Sequence, residues 1–316
     1  MNINGTIFKE LVKRGYSIRG SKRVWDVSDS RLWYLTPELS EGFLNLKNYV
    51  PYRVKVIDTE FDLIEKNAEK LKDICSGGSF NLIDLGCGDG TKAAAFIKKV
   101  SCGSKMRYCP VDVSQYFIDK AVKNVGALND KNIVEIKPVT LDFGDFEEVM
   151  EKIKKKGFER NVVLLLGETI SHYDANDLLF HLSAALGSGD FLIVGNGYRI
   201  WERFVELDKY KEPLLLSAMN KWFVKIMEGL SFNMEELDIS PRFENGRLEW
   251  YYMIKVDKEL KHNGHRVHFR SGDEVVVAAQ NKFYEPEWKE FCEMYFNSVE
   301  FLKDEKKEYA LFVCRK

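Results

Sequence analysis

Residues Asp84-Leu85-Gly86-Cys87-Gly88-Asp89-Gly90-Thr91-Lys92 join a mostly apolar run, Phe80 to Ile83, to a second apolar segment, Ala93 to Ile97. That is a strand, a glycine turn and a helix. Glycines at 86, 88 and 90 let the backbone turn sharply and lie against a ligand where a Cβ would collide. A further mostly apolar run, Met106 to Val111, ends in Asp112. A carboxylate at the end of a second parallel strand is placed to accept hydrogen bonds from ribose hydroxyls. The spacing is G-x-G-x-G behind Asp84, not the G-x-G-x-x-G of a dinucleotide site, and it favours S-adenosylmethionine (SAM). The implied chemistry is methyl transfer from a sulfonium. The protein then supplies mainly proximity and orientation.

Other reactive side chains lie along the chain. Glu168 ends a fourth apolar run, where it can orient an amine or ribose or stand as a solvated loop carboxylate. His172 follows closely; an imidazole titrates near neutrality, so it can take a proton from an ammonium or merely hydrogen-bond the acceptor or the loop. Cys87 reads as a small residue suited to a tight turn. His262, His265 and His268 recur every third residue around Gly264. Without cysteine or carboxylate partners at ligand spacing they read as a polar hairpin, and no metal is expected.

The elements that position these residues follow from periodicity. Helical and apolar segments alternate from 57 to 198: helix 61–75, strand 81–86, helix 91–100, strand 106–112, and helix 114–127 with Ser114 as N-cap. Strand 132–138, helix 145–156, strand 161–167, helix 174–186 and strand 190–195 follow. Such alternation predicts a parallel, doubly wound α/β sheet. Residues 198–230 look largely helical and carry Trp201, Phe204, Tyr210 and Trp222; 247–256 and 266–279 read as strands. Helix 286–294 and strands 295–302 and 307–314 return to the sheet. Residues 1–56 fit no strand–helix unit and are rich in aromatics. The expected organisation is a cofactor core of 57–198 and 282–316, with 1–56 and 199–281 forming a discontinuous substrate domain.

Bulk properties exclude several classes. At 316 residues there is room for one large domain or two modest ones. With 45% apolar and 30% charged residues the composition is globular, and a net charge of −2 lacks the basic surplus of a dedicated nucleic-acid binder. No apolar run reaches membrane-spanning length, and Lys9, Lys13 and Arg14 interrupt any leader-like segment. The six cysteines lack paired spacing and read as reduced thiols, so a cytoplasmic location is expected, with neither membrane nor nucleic acid as partner. Oligomeric state is not readable from these features.

Four segments resemble the histidine-specific SAM-dependent methyltransferase family, which includes the histidine Nα-methyltransferase of ergothioneine biosynthesis. Asp84 to Lys92 resembles the family's E-L-G-S-G-x-x-x-K loop, and Tyr108-Cys109-Pro110-Val111-Asp112-Val113-Ser114 resembles its Y-x-P-V-D-V-S segment. Leu165-Leu166-Gly167-Glu168-Thr169-Ile170-Ser171-His172 resembles F-L-G-S-x-I-G-N, and Gly272 through Tyr284 resembles G-E-x-I-x-T-E-x-S-x-K-[FY]. Tyr49 to Arg53 is faintly similar to E-Y-Y-P-T-R.

The resemblance implies a class I methyltransferase fold, Rossmann-like with a seven-stranded, mostly parallel sheet. It implies SAM as cofactor, S-adenosylhomocysteine as product and a small amine or amino acid as acceptor. Gly86, Gly88, Lys92, Asp112 and the pair Asp142-Phe143 would contact SAM, with Asp145-Phe146 as an alternative register for that pair. Gly167 would lie beside the acceptor amine; Tyr49, or Tyr52 if the gap is placed differently, and Tyr210 would hold the acceptor's carboxylate. The family asparagine that meets the amine falls on His172, and the glutamate and serine that recognise imidazole fall on Ala278 and Gln280. Alanine cannot accept a hydrogen bond from a ring N–H, and an unpaired buried donor costs about 1–3 kcal/mol. The expected acceptor is therefore an amino acid or related amine other than free histidine. The alternatives are a peptide, protein or RNA methyltransferase, or a SAM-binding protein without catalysis.

Overall fold

The computed structural model describes residues 3–100, 103–200, 207–306 and 308–316. The chain divides into two compact units, Val50–Arg203 with Lys282–Lys316 and Met1–Tyr49 with Phe204–Asn281.

The larger unit is built on one sheet. Its strands are β1 (Phe80–Leu85), β2 (Met106–Asp112), β3 (Ile133–Ile136), β4 (Val139–Thr140), β5 (Arg160–Leu165), β6 (Phe191–Gly197), β7 (Ser298–Asp304) and β8 (Tyr309–Arg315). They lie in the order β7-β8-β6-β5-β1-β2-β3, and β4 also pairs with β2. All pairs are parallel except β8 on β6 and β7 on β8. The expected seven strands are thus present, the third followed by the short β4. The longer helices are α1 (Asp58–Lys66), α2 (Ala68–Cys75), α3 (Thr91–Lys99), α4 (Gln115–Gly126), α5 (Phe146–Ile153), α6 (Ala175–Ala185) and α7 (Glu285–Tyr295).

Alternate strand residues feed two cores. Ile83, Leu85, Val111, Val163 and Leu165 pack with residues of α5, α6 and α7. Leu82, Tyr108, Val162 and Leu164 pack with α1, α2, α3 and α4. Both faces are buried, and the strands accordingly read as continuous apolar runs instead of alternating ones.

Several expected boundaries shift. Helix 61–75 is two helices, broken at Asn67, whose amide donates to the Leu63 carbonyl at 2.8 Å and ends the first turn stack. Ser114 occupies the N-cap of α4 without a side-chain capping bond, and its backbone N–H donates to Asp112 Oδ1 at 2.9 Å. Helix 145–156 stops at Ile153, where Lys154 turns extended. Residues 50–56, expected with 1–49, belong to the sheet unit: Val56 is buried and Tyr52 packs against the same core. A single π-turn, Arg53–Ile57, leads them into α1.

The smaller unit carries a five-stranded sheet in the order Tyr16–Arg19, Lys22–Asp26, Glu274–Asn281, Arg247–Ile254, Leu237–Glu244. The expected strand 266–279 is interrupted by a turn at Gly272 (φ 90°), which separates His265–Phe269 from Glu274–Asn281. His265–Phe269 pairs with Lys258–His262 across Asn263 and Gly264, both with positive φ, as a two-residue hairpin requires. The three histidines sit on that hairpin, and no group of His, Cys, Asp or Glu among the described residues is arranged to hold a metal. Aromatics from the first fifty residues pack as core: Trp33 meets Trp222 and Phe223 edge-on, and Trp222 stacks on Phe223 at 4.4 Å. Helices Pro37–Lys47 and Pro213–Gly229 pass closely, and a Cβ on Gly42 would stand 2.7 Å from Trp222. Trp201 and Phe204 lie outside the described residues. No described helix is long and apolar enough to cross a membrane.

Candidate active site

The glycine loop leaves β1 and enters α3 with Gly86, Gly88 and Gly90 all at positive φ (65°, 51° and 73°). Each glycine answers a different constraint. A Cβ on Gly86 would press on Thr169 and Phe143 at 3.3–3.4 Å, and one on Gly90 would lie 2.7 Å from the Ala121 backbone of α4. At Gly88 a Cβ would meet nothing within 4 Å. The backbone there borders open space, as a cradle for a ligand does.

Asp112 closes one side of this cradle. It is buried, with Oδ2 accepting the Gly88 N–H at 3.1 Å and Oδ1 the Ser114 N–H at 2.9 Å. Burial pushes its carboxyl up to about 6 despite these bonds. A diol donating two O–H groups would relieve that penalty, so the acceptor the site offers matches a ribose. Phe143 lies against Gly86 and packs on Tyr173 at 5.1 Å, whereas Asp142 uses one oxygen to accept the Gly144 N–H at 2.9 Å. The alternative pair is placed differently: Asp145 is exposed and Phe146 is wholly in the core. Cys87 is buried, and desolvation with Asp112, Asp84 and Asp89 drives its thiol well up, so it stays protonated.

The second loop follows β5. Gly167 (φ 81°) and Glu168 (φ 62°) are consecutive left-handed residues, and the latter is uncommon for a side-chain-bearing residue. The loop holds this shape through Glu168 N–H on the Gly195 carbonyl (2.9 Å) and Ser171 N–H on the Glu168 carbonyl (3.1 Å). Burial alone would raise the Glu168 carboxyl, but Lys282, Lys55 and His172 outweigh it and hold it below the usual range. The Lys282 ammonium donates to Glu168 Oε1 at 3.2 Å. His172 is half-buried at the end of the short helix Thr169–His172.

The two loops meet. A Cβ on Gly167 would overlap Lys92 Nζ. Lys92 itself pairs with Glu60, a fully buried carboxylate on α1 that also accepts the Gly167 N–H at 2.7 Å and the Tyr309 hydroxyl at 2.6 Å. Tyr52 is close enough to Glu168 and Glu60 that burial and their charges drive its hydroxyl pKa upward. Sequence reasoning missed Glu60, Tyr309, Lys55 and Lys282 as site residues. Glu60 had a signal: it lies three and four residues before Leu63 and Ile64, on the apolar stripe of its helix, where a carboxylate requires partners.

The remaining candidates belong to the smaller unit. The Tyr49 hydroxyl donates to Glu212 Oε2 at 2.6 Å, and burial followed by that carboxylate pushes it to about 12. Tyr210 lies on the short helix Leu207–Lys211. Ala278 is buried opposite Trp250, and Gln280 is half-buried opposite Leu248. The structure thus brings Gly86, Lys92, Phe143, Gly167, Glu168 and His172 together around two loops of one unit, with Gly88 on the glycine turn and Asp112, at the end of β2, accepting its N–H. Tyr49, Tyr210, Ala278 and Gln280 lie in the other unit.

A parallel sheet with an antiparallel pair at one edge, a glycine loop after its first strand and a carboxylate ending its second defines the class I SAM-dependent methyltransferases. The sequence profile of the histidine-specific, SAM-dependent methyltransferases matches residues 38–316, and the chain belongs to that family, whose cofactor is SAM. Among solved structures it is similar to a SAM-dependent methyltransferase from Clostridium acetobutylicum (14% identity, 87% of this chain and 98% of that one, TM-score 0.46). It is similar also to the sugar N-methyltransferase KedS8 from Streptoalloteichus (12% identity, 86% and 92%, TM-score 0.42). No curated protein matches the sequence.

Proposed function

We propose that this methyltransferase N-methylates an amino acid or related small amine other than free histidine, in the cytoplasm. The observation that carries the reading is the loop after β5. Glu168 is held as a fixed anion by Lys282 and Lys55, with His172 on the same turn. A fixed negative charge beside Gly167 favours an approaching ammonium, and the imidazole can then take the proton whose loss exposes the amine lone pair. SAM, when bound, supplies a methyl already activated on a sulfonium. The chain's own work is to orient and to deprotonate: Asp112 would meet the ribose, the open backbone at Gly88 lets the nucleoside end lie close, Lys92 would meet the cofactor's carboxylate, and Gly167, which makes room for Lys92, would border the acceptor amine.

Two side chains argue against histidine as acceptor. The positions that resemble the imidazole-reading glutamate and serine carry Ala278 and Gln280, and alanine leaves a ring N–H without an acceptor. The test is an assay across amino acids and small amines that reads S-adenosylhomocysteine release. Selective turnover of an amine or amino acid other than histidine supports the proposal. Brisk, selective histidine methylation overturns the acceptor assignment, and SAM binding without turnover of any acceptor overturns catalysis.

A further inference from the structure

Glu60 has no solvent exposure, so no ligand reaches it. Yet four other elements converge on its carboxylate. Oε1 accepts the Gly167 N–H of the second loop and the Tyr309 hydroxyl of β8; Oε2 faces the Lys92 ammonium of α3. On β6, a Cβ at Gly195 would overlap Oε1, so glycine there is what admits the carboxylate. Taking a carboxylate fully out of water is costly, and an apolar pair of equal volume generally serves stability as well or better. The pair is also asymmetric: Glu60 is sealed, whereas the Lys92 side chain keeps 20% of its exposure. One end is locked in the fold and the other faces out of it.

We propose that Glu60 is a positioning residue for cofactor binding. Its two oxygens fix the Lys92 ammonium and the Gly167 amide at one point, so that the end of the glycine loop and the loop beside the acceptor are held in mutual register. The inference rests on the reading of Lys92 as the residue that meets the cofactor's carboxylate.

The experiment measures SAM affinity of the full chain by titration calorimetry, alongside thermal melts, for Lys92→Met, Glu60→Gln, the double variant and Tyr309→Phe. Lys92→Met is expected to weaken SAM binding about tenfold or more. Glu60→Gln is expected to weaken it about tenfold, and to add little in the Lys92→Met background, because both changes remove one device. Tyr309→Phe deletes one bond to Glu60 at nearly constant volume and is expected to weaken binding by about two- to fivefold. A purely structural Glu60 would lower melting temperature and leave folded protein with unchanged SAM affinity. Unchanged affinity in Lys92→Met overturns the reading of the lysine. Weakened affinity in Lys92→Met with unchanged affinity in Glu60→Gln, or fully additive losses, overturns the role of Glu60 alone. Should Glu60→Gln not fold, Tyr309→Phe decides: wild-type affinity there overturns the proposal, and a loss supports it.

Discussion

Tyr108 on β2 donates its hydroxyl to Asp84 Oδ2 on β1 at 2.8 Å, and both residues are buried just beneath the glycine loop. Burial dominates and pushes the Asp84 carboxyl up to about 7, with Asp112 and Asp89 adding to the rise and Tyr108 and Lys92 opposing it. The unfolded chain titrates this group near 3.9. The folded state therefore binds the extra proton between about pH 4 and pH 7, and the penalty for ionising Asp84 grows across that window as pH rises. Asp84→Asn, which keeps an acceptor for Tyr108, should match the wild type at pH 4. It should exceed it by about 2–4 kcal/mol above pH 7. Thermal melts across pH decide; a gap that does not change with pH would sink the assignment.

Asp112 gives a ligand-linked counterpart. Its carboxyl stands at about 6 through burial, against N–H groups of Ser114, Gly88 and Val113. Ribose hydroxyls would favour the charged form, so SAM binding should expel a proton near pH 5.5 and weaken as pH falls below about 6. Calorimetry in buffers of different ionisation enthalpy reads the proton directly. Asp112→Ala should reduce SAM affinity by about 10–100-fold.

Gly88 and Gly90 separate binding from folding. Both have positive φ, but only a Cβ on Gly90 meets backbone, 2.7 Å from Ala121. Gly90→Ala should lower stability by more than 3 kcal/mol, on the order expected for strain plus overpacking. Gly88→Ala should cost about 1 kcal/mol in the same melts while removing the stabilisation that added SAM gives the wild type. Equal damage in the two variants would contradict the cradle.

Glu168→Ser places at the second loop the residue that the family pattern carries there. SAM affinity should stay within about twofold if the loop after β5 serves the acceptor, as proposed. The kcat for the accepted amine should fall by about 100-fold as the fixed anion is lost. Steady-state kinetics on that amine, paired with SAM titration, checks both halves. A large loss of SAM affinity would move Glu168 to the cofactor side.

The glycine loop between β1 and α3 was readable because its determinants are local. Strands buried on both faces announce themselves as apolar runs, the glycines and Asp112 fall at their ends, and Lys92 follows in the first turn of α3. Glu60 was not readable, since its partners come from positions 92, 167 and 309 and meet only once the sheet is assembled. Strand Leu237–Glu244 escaped for a different reason: Pro241 interrupts an otherwise alternating run. The structure puts that strand at the sheet edge, where a proline is tolerated. Tyr49 is half-buried, and its bond to Glu212 joins segments far apart in sequence, which no local pattern announces.

Arg199 and Tyr284 form a parallel bridge, with the Arg199 N–H on the Phe283 carbonyl at 2.9 Å and the guanidinium 4.1 Å from the Tyr284 ring. The chain thus leaves the larger unit and re-enters it at neighbouring points. For protein engineering this makes the intervening stretch a cassette: a short linker across the bridge would reclose the unit at small entropic cost. Strand Lys22–Asp26 pairs with Glu274–Val276, so any graft must carry the first forty-nine residues along with the cassette. Exchanged together, the two segments would transplant as one module.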